Sequence, residues 1–367
     1  MQADPRPEPA GVPRSEAGPQ SGADVKSEAN AHSTAVHPGC EILVIRLSSF
    51  GDVILTEPVT RALKQHYPGS RITFISNSDY SEIPAMFSSV DEVIPYMRHG
   101  DNRAVDRLSG RADFGITLDL QNNLRSRRLT RRLRAQGVLR HRRQRLLRFV
   151  RVHLPRLWRG DLKPVVRTYF DAIGPLGISS ADISPRMTPP ASSLEEARRM
   201  LGPGRLIAVC PGGSSEHKRW SDARFAELVT VLRERGHRVA VIGAEPDRKQ
   251  VEAAAFSPGG PGPETFVAGD IGLIAGLLSI CAVTVTNDSG LMHLAAAVGS
   301  RVAAIFGPTS PALGFAPTAA GSRVISLDLD CSPCSYHGNV PCRLGTRRCF
   351  EDIGAPMVAD TVEEMLG

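Results

Sequence analysis

The stretch that decides the fold is Ile42–Pro58, "ILVIRLSSFGDVILTEP". An apolar run typical of a buried strand leads into Ser48-Ser49-Phe50-Gly51, and Asp52 follows where a helix is expected to begin. A dinucleotide fingerprint needs three glycines at fixed spacing and a phosphate loop needs Gly-Lys-Ser/Thr, and this turn has neither. The pattern therefore predicts the first unit of a parallel α/β sheet, with a turn built for some other ligand.

Composition places the chain among ordinary globular proteins. It has 367 residues, 41% hydrophobic and 22% charged, and one domain per ~150 residues predicts about two domains. No apolar run approaches the ~20 residues of a membrane span, and we see no apolar signal core near the start, so we expect a cytoplasmic protein. Residues 1–37 are rich in Pro, Gly, Ala, Ser and Glu, which predicts a disordered leader.

Strands and helices alternate along most of the remaining chain. The alternation breaks in the Pro/Ser-rich stretch Gly177–Ser193 and then restarts. This organisation predicts two open α/β domains, residues 38–185 and 194–357, with a closing helix over residues 358–367. Open sheets of this kind bind ligands outside the carboxyl ends of their strands.

In the second half those strand ends are polar: "PGGSSEHK", "GAEPDR", "NDSG" and "GPTSP". Small residues there expose backbone amides to a diphosphate, and Lys218 is placed to neutralise its charge. Glu245 is a candidate acceptor for ribose hydroxyls, with Asp247 as the competing choice. We expect Trp220 to anchor the core, and His293, on an apolar helix, to be a hydrogen-bonded core residue.

The positive charge of the chain is concentrated in one segment. Between Arg125 and Arg151 lie twelve arginines and no acidic residue, and removing these twelve charges turns the formal net charge of +6 into −6. Such a segment suits nucleic acid, an anionic membrane or a phosphorylated substrate. It has few aromatics and matches no nucleic-acid motif. Its mixture of arginine and leucine favours a helix lying on an anionic membrane surface.

Four of the seven cysteines fall in one late segment, Cys331-x₂-Cys334-x₇-Cys342-x₆-Cys349. Four thiolates are a ligand set for zinc or an iron–sulfur cluster, with His337 as a spare ligand. Only the first pair has the spacing of a zinc knuckle. Reduced thiols or a structural clip therefore remain alternatives to a metal.

Five motifs in order, "IRLSSFGDVILTEP", "PGGSSEHKRW", "NDSGLMHLAAAVG", "IFGPTSP" and "CSPC", together resemble the family-9 glycosyltransferases. Well-known members are the ADP-heptose:lipopolysaccharide heptosyltransferases. The resemblance runs from Glu41 to Glu351. It implies a GT-B-type architecture, in which two Rossmann-like domains face a cleft. It also implies inverting transfer of a heptose from ADP-heptose to the inner core of lipopolysaccharide, with no cofactor required for catalysis.

The resemblance also assigns roles to residues. Asp52 would be the general base toward the acceptor hydroxyl, a role that a helix N-terminus supports by favouring the ionised carboxylate. A purely structural alternative is that Asp52 only caps its helix. The implied donor-binding residues are Ser214, Ser215, Lys218, Glu245, Asp288, Ser289, Gly290 and Thr309. Ser48 and Ser49 are candidate acceptor-binding residues, with satisfaction of the turn amides as the alternative. Arg125 is our choice within the arginine-rich segment for a specific acceptor contact.

The partners expected from this resemblance are a nucleotide-sugar donor, a lipopolysaccharide core acceptor and an anionic membrane surface, with no nucleic acid. The enzyme would then work peripherally on the inner face of the cytoplasmic membrane. Two alternatives stay open. One is a transferase of the same fold that uses another nucleotide sugar or acceptor, and the other is a catalytically silent scaffold that keeps the fold.

Overall fold

The computed structural model describes residues 40–109, 114–135, 137–154, 156–256 and 262–367, and the predicted leader over residues 1–37 lies outside these ranges. Within the described ranges, the strands form two sheets in which every observed strand pair is parallel. Helices connect successive strands, as parallel pairing requires. The predicted α/β class with two open sheets is confirmed.

The first sheet has five strands in the order β3-β2-β1-β4-β5. Its strands are β1 (Glu41–Ile45), β2 (Arg71–Asn77), β3 (Glu92–Tyr96), β4 (Ile116–Asp119) and β5 (Val138–Arg140). The helices of this half are α1 (Phe50–Ile54), α2 (Glu57–His66), α3 (Glu82–Ala85), α4 (Arg103–Leu108), α5 (Leu124–Arg132), α6 (Arg145–His153) and α7 (Val165–Ile173).

The second sheet has six strands in the order β11-β10-β9-β6-β7-β8. Its strands are β6 (Leu206–Cys210), β7 (Arg238–Ala244), β8 (Glu264–Ala268), β9 (Val283–Asn287), β10 (Arg301–Ile305) and β11 (Arg323–Ile325). Its helices are α8 (Ala191–Leu201), α9 (Asp222–Glu234), α10 (Arg248–Ala254), α11 (Ile271–Ser279), α12 (Gly290–Ala297), α13 (Arg348–Glu351) and α14 (Ala355–Leu366).

Apolar strands and amphipathic helices explain where the core lies. The central strands β1, β6 and β9 are buried almost throughout, because helices cover both faces of each sheet. Trp220 is fully buried, and its indole Nε1 donates to the carbonyl oxygens of Phe350 and Ile353. The expectation that Trp220 anchors the core is therefore confirmed.

The chain crosses from the first sheet to the second between α7, which packs against α2, and α8, which packs against α11. The crossing segment is fixed by ion pairs and hydrogen bonds rather than left loose. Arg61 on α2 pairs with Asp182 and donates to the carbonyl oxygen of Ser184. The crossing overlaps the Pro/Ser-rich stretch in which the sequence places its domain boundary.

The arginine-rich segment differs from the single helix suggested by its composition. It forms α5, the short strand β5 and α6, with a tight turn in which Arg134 adopts a positive φ of 51°. Among the described residues, none of the helices is both long enough and apolar enough to span a bilayer.

Strand order fixes where ligands are expected to bind. The order of the first sheet reverses between β1 and β4, and that of the second between β9 and β6. At such a switch point the connections leave toward opposite faces of the sheet and open a crevice at the carboxyl ends of the strands. Four loops therefore define the candidate site: residues 46–49, 120–123, 211–215 and 288–289.

Candidate active site

All four of these loops contribute to one cleft of about 800 Å³. Its lining includes most of the residues that the sequence singled out for substrate binding: Ser48, Ser49, Asp52, Ser214, Ser215, Lys218, Asp288, Ser289, Gly290 and Thr309. Two of the predicted residues, Glu245 and Arg125, are not among the lining residues. The parallel sheets thus bring together side chains that are up to 261 positions apart in the sequence, Ser48 and Thr309.

Asp52 lies in the first turn of α1 and is held by three neighbouring residues. Its Oδ2 pairs with Arg46 Nη2 at 2.8 Å and accepts hydrogen bonds from the Ser49 hydroxyl at 2.8 Å and the Ser49 backbone amide at 3.3 Å. Its Oδ1 accepts one hydrogen bond, from the Tyr169 hydroxyl at 3.2 Å. Asp52 therefore caps its helix and also presents a carboxylate oxygen to the cleft.

The charge of Asp52 follows from these contacts. Burial raises the pKa of the carboxyl, but the adjacent Arg46 guanidinium and the hydrogen bonds from Ser49 and Tyr169 outweigh burial and lower the pKa to about 2. Asp52 is therefore ionised throughout the physiological pH range. A carboxylate with so low a pKa is a weak base and takes up a proton only from a strongly acidic group.

The loop before α1 is fixed from the neighbouring strand. Gln121, which follows β4, accepts hydrogen bonds from the amides of Leu47 and Ser48 at 3.1 and 3.0 Å. The fully buried Asp119 in turn accepts from the Gln121 amide at 3.1 Å. Gln121 Nε2 also donates to the Ser48 hydroxyl at 3.4 Å. These contacts across the switch point fix Ser48 and the loop before α1.

Across the cleft, Lys218 and Asp288 form an ion pair. Lys218 Nζ lies 2.8 Å from Asp288 Oδ2, and the side chains are only 14% and 11% exposed. Thr309 donates its hydroxyl to the same carboxylate oxygen at 2.7 Å. The lysine predicted to meet a diphosphate is therefore already neutralised inside the protein, and an incoming anion must share it with Asp288.

A buried asparagine aligns the donor-side loops. Asn287 at the end of β9 donates to the carbonyl oxygens of Pro211 and Gly212 at 2.9 and 3.0 Å, and its own side-chain oxygen accepts from the Trp220 amide at 2.9 Å. One side chain thus fixes the Pro-Gly-Gly turn, the segment after Lys218 and the start of the Asp288 loop relative to each other.

The two halves meet at the floor of the cleft through the starts of α1 and α12. A Cβ atom on Gly51 would lie 2.6 Å from the His293 ring, and one on Gly290 would lie 2.6 Å from the Phe50 ring. His293 is buried, lines the cleft and makes no hydrogen bond through its ring to another described side chain or backbone group. Burial lowers its pKa to about 4, so His293 is neutral. The expectation of a hydrogen-bonded core histidine was wrong.

The wall on the side of the first sheet is basic. Arg143, Arg145 and Arg148 line it, the latter two on α6. Arg148 also reaches the second half, because its guanidinium lies 4.6 Å from the centre of the Tyr336 ring. The predicted acceptor residue Arg125 lies in the first turn of α5 and does not line the cleft, whereas these other arginines of the same segment do.

Glu245 was placed correctly at a strand end but is directed away from the cleft. It is exposed and binds Arg248, one helical turn later, through two hydrogen bonds of 2.8 Å. The competing choice, Asp247, accepts from the Gly213 amide at 3.2 Å and so stabilises the Pro-Gly-Gly turn. As arranged here, neither carboxylate is free in the cleft.

The four late cysteines line a second cavity of about 400 Å³, together with His217. None of the seven cysteines is in a disulfide. Among the described residues, no group of three or more His, Cys, Asp or Glu side chains is arranged to hold a metal ion. The proposed metal set Cys331, Cys334, Cys342 and Cys349 is thus gathered in one cavity without forming a coordination site, and the residues as placed do not fit a metal.

Sequence reasoning missed Arg46, His141, Tyr169 and Tyr336, all of which line the cleft. One signal was available for Arg46, because a charged residue directly after a fully apolar strand is unusual. The others lie in segments whose local sequence shows no functional pattern. His141 is buried and contacts Thr168 Oγ1 at 2.9 Å through Nε2, and burial with the nearby arginines lowers its pKa to about 4.

Comparison with known proteins gives a consistent result. The model of glycosyltransferase family 9 (heptosyltransferase) matches residues 103–341. The chain is 27% identical to lipopolysaccharide heptosyltransferase 1 of Pseudomonas aeruginosa over 80% of this chain and 85% of that protein. Among solved structures, the family-9 glycosyl transferase of Veillonella parvula has a TM-score of 0.74 at 21% identity, covering 89% of this chain and 97% of that one. The Escherichia coli ADP-heptose lipopolysaccharide heptosyltransferase II has a TM-score of 0.70 at 20% identity, with coverage of 89% and 98%.

Proposed function

Because the chain belongs to glycosyltransferase family 9, we propose that this glycosyltransferase moves a heptose, with inversion, from ADP-heptose to the inner core of lipopolysaccharide. The observation that supports this best is the cleft itself, in which an ionised carboxylate, Asp52, faces the Lys218–Asp288–Thr309 cluster. Residues 38–185 would form the acceptor-binding domain and residues 194–357 the nucleotide-sugar-binding domain; the closing helix predicted over 358–367 is α14, Ala355–Leu366.

The donor would lie on the side of the second sheet. Lys218 would neutralise its diphosphate, the hydroxyls of Ser214 and Ser215 and the amides at Ser289 and Gly290 would bind phosphate oxygens, and Asp288 would contact the sugar. ADP-heptose is named for the Escherichia coli enzyme of the same fold. The charge that a divalent cation supplies in other sugar transferases would come here from Lys218, so the proposed chemistry needs no metal. The predicted binding of the ribose by Glu245 requires that its carboxylate first be released from Arg248.

The reaction would be a single displacement. The acceptor oxygen forms a bond to the anomeric carbon on the face opposite the diphosphate, the bond from that carbon to the diphosphate oxygen breaks, and its electron pair leaves with ADP. The proton of the acceptor hydroxyl passes to Asp52. Because attack and departure occur on opposite faces, the anomeric configuration inverts. Lys218 stabilises the charge that develops on the departing diphosphate.

The acceptor would lie between α1 and the basic wall. Ser48 and Ser49 stand beside Asp52, and Arg143, Arg145 and Arg148 line the same side. Lipopolysaccharide inner core bears phosphates and carboxylates, and arginine forks bind both groups through paired hydrogen bonds. We therefore propose these three arginines, in place of Arg125, as acceptor contacts.

A peripheral contact with the inner face of the cytoplasmic membrane is also part of this proposal. One apolar lip, residues 146–157, includes the exposed side chains Leu146 (75%), Leu147 (46%), Phe149 (55%), Leu154 (43%) and Leu157 (75%). The sequence from Leu120 to Gly160 contains no acidic residue. Exposed leucines within an arginine-rich stretch suit an anionic bilayer, since the apolar groups insert while arginines pair with headgroups. The lip adjoins the cleft through Arg148 and Val152.

A donor panel tests the activity. Purified protein is mixed with ADP-heptose, and separately with other ADP-, UDP- and GDP-sugars, each with heptose-deficient lipopolysaccharide, and products are read by mass spectrometry. We expect one heptose to be added from ADP-heptose, and Asp52→Asn to lower kcat by about 10²–10⁴-fold with ADP affinity unchanged. Transfer from another donor would keep the mechanism and reject the heptose assignment. No transfer and no donor binding by calorimetry would favour the silent scaffold.

Vesicle flotation tests the membrane contact separately. The wild type is expected to float with vesicles that contain anionic lipid and not with purely zwitterionic ones. The double variant Leu146→Ser/Leu157→Ser should lose most of this binding. Phe256→Ser removes an apolar side chain of similar exposure (69%) far along the chain and serves as the matched control. Equal flotation of all three proteins would reject the lip as the surface that contacts the membrane.

A further inference from the structure

The two oxygens of the Asp52 carboxylate are not equivalent in this structure. Three donors converge on Oδ2: Arg46 Nη2, the Ser49 hydroxyl and the Ser49 amide. A single donor, the Tyr169 hydroxyl, reaches Oδ1. Each carboxylate oxygen has about two lone-pair directions. Oδ2 is therefore saturated, whereas Oδ1 keeps one lone pair unused.

The side chains that create this asymmetry are themselves fixed. Arg46 is buried, donates through Nη1 to the Leu120 carbonyl oxygen at 2.6 Å, and lies over the Tyr169 ring at 5.4 Å from its centre. Tyr169 on α7 is fully buried, and its ring packs edge-on against His141 at 4.8 Å between ring centres. Neither side chain can change its contact with Asp52 without disturbing a packed neighbour.

We infer that Arg46 and Tyr169 are positioning residues for the transfer reaction, and that they orient Asp52 so that its Oδ1 receives the proton of the acceptor hydroxyl. This inference rests on the proposed function. In the step itself, the acceptor oxygen bonds to the anomeric carbon as its O–H bond breaks. The proton forms a new O–H bond with the free lone pair of Oδ1, and the diphosphate leaves with the electron pair of the broken glycosyl bond. Tyr169 keeps its hydrogen bond to the other lone pair throughout.

Arg46 also affects the charge of Asp52. Arg46 is the group that lowers the pKa of Asp52 most, so its removal would leave burial opposed only by the hydrogen bonds from Ser49 and Tyr169 and would raise that pKa. Other titratable and charged groups also act on Asp52 electrostatically, from the elements around it: His141, Arg143, His293, Tyr336 and His337. The lowered pKa values of His141 and His293, both about 4, keep these two rings neutral above pH 5 in the wild type.

The decisive experiment is a pH–rate profile of kcat between pH 5 and 9. Asp52 stays ionised over this range in the wild type, so no loss of activity from its protonation is expected there. In Arg46→Met, kcat should fall as the pH is lowered within this range and be at least ten-fold lower at pH 5 than at pH 8. This fall is the acid limb of the profile. Arg46→Lys should restore a kcat that does not change with pH. A purely structural role would lower kcat equally at every pH, which would overturn the inference.

Two further variants test whether Asp52 causes the acid limb and whether Tyr169 orients Asp52. Removing Arg46 also raises the pKa of His141, so Arg46→Met/His141→Gln must keep the acid limb if Asp52 causes it. Tyr169→Phe keeps the ring and removes only the hydroxyl, and kcat is expected to fall about ten-fold with the donor KM unchanged. An unchanged kcat in Tyr169→Phe would reject the positioning of Oδ1.

A readout without turnover separates this inference from the proposed function. The ¹³C carboxyl signal of Asp52 is assigned by its absence in Asp52→Asn and titrated in the wild type and in Arg46→Met. We expect the signal of the wild type to show no titration above pH 5 and that of Arg46→Met to titrate within the range. If the wild type transfers no heptose but these titrations differ as stated, only the proposed function fails. If the titrations coincide, the role of Arg46 is rejected whatever the activity.

Discussion

Substitution of Lys218 and substitution of Asp288 are predicted to change the affinity for ADP in opposite directions. The pair joins Lys218 Nζ to Asp288 Oδ2 at 2.8 Å in a cleft where both side chains are largely buried. In the proposed function, ADP recruits the lysine from this pair. Lys218→Met should therefore weaken ADP binding, whereas Asp288→Asn should strengthen it, because the substitution removes the internal competitor for the ammonium group.

The magnitudes follow from the contacts. A hydrogen bond between charged partners contributes about 1.5–3 kcal/mol, so Lys218→Met should raise the Kd for ADP by about 10- to 150-fold. A carboxylate about 7 Å from a phosphate, at an effective dielectric constant of about 40, repels it by about 1 kcal/mol. Asp288→Asn should therefore lower the Kd for ADP by about five-fold, while turnover falls because the contact with the sugar is lost.

Isothermal titration calorimetry with ADP measures these constants in the wild type, both single variants and the double variant. The double variant should bind ADP better than Lys218→Met, since the unopposed Asp288 is gone. Lys249→Met removes an exposed lysine outside the cleft and controls for net charge. If Asp288→Asn weakens ADP binding as Lys218→Met does, the aspartate holds the lysine in place for the phosphates and the competition argument is refuted.

Three further predictions concern the same half of the protein. A side chain on Gly338 would collide with the stem of Lys218, so Gly338→Ala should raise the Kd for ADP about ten-fold; Gly345→Ala has a similar positive φ and open space, and should leave the Kd unchanged. Prolonged treatment with EDTA should not change kcat, because Lys218 supplies the charge at the diphosphate; a loss that Mg²⁺ restores would contradict this. Trp220→Phe removes a donor to two buried carbonyl groups and should lower the free energy of unfolding by about 1–3 kcal/mol, measured by urea denaturation, with kcat unchanged.

Much of the site was predictable because parallel sheets follow a simple rule. Asp52, Lys218 and Asp288 each follow a buried strand, and the carboxyl ends of parallel strands open at the same edge of a sheet. Strand ends alone predict that Lys218 and Asp288 lie at one edge of the second sheet, and the family resemblance added the expectation that Asp52 faces them across one cleft. The strand patterns are strong here because β1, β6 and β9 are rich in apolar and β-branched residues and almost fully buried.

The two predicted residues that do not line the cleft, Glu245 and Arg125, share a different cause. Their segments were placed correctly, but the direction of each side chain was not predictable. Glu245 does directly follow β7, but Arg248 at the start of α10 binds its carboxylate. Arg125 belongs to the basic segment that supplies the cleft wall, yet it starts α5, whereas Arg145 and Arg148 lie on α6 and line the cleft. Composition predicts that a basic surface exists, and only the turn between the two helices decides which arginines form it.

Tyr169 marks a limit of another kind, because its contact with Asp52 spans 117 positions of sequence. The hydroxyl reaches Oδ1 only after α7 has packed beside α2 and the chain has passed through the whole basic segment. The environment of Asp52 is thus determined outside its own loop: Arg46 at the end of β1 lowers its pKa, and Tyr169 on α7 binds its Oδ1. The proposed general base therefore depends on how the first half folds as a unit, and its reactivity is not encoded in the Gly-Asp pair alone.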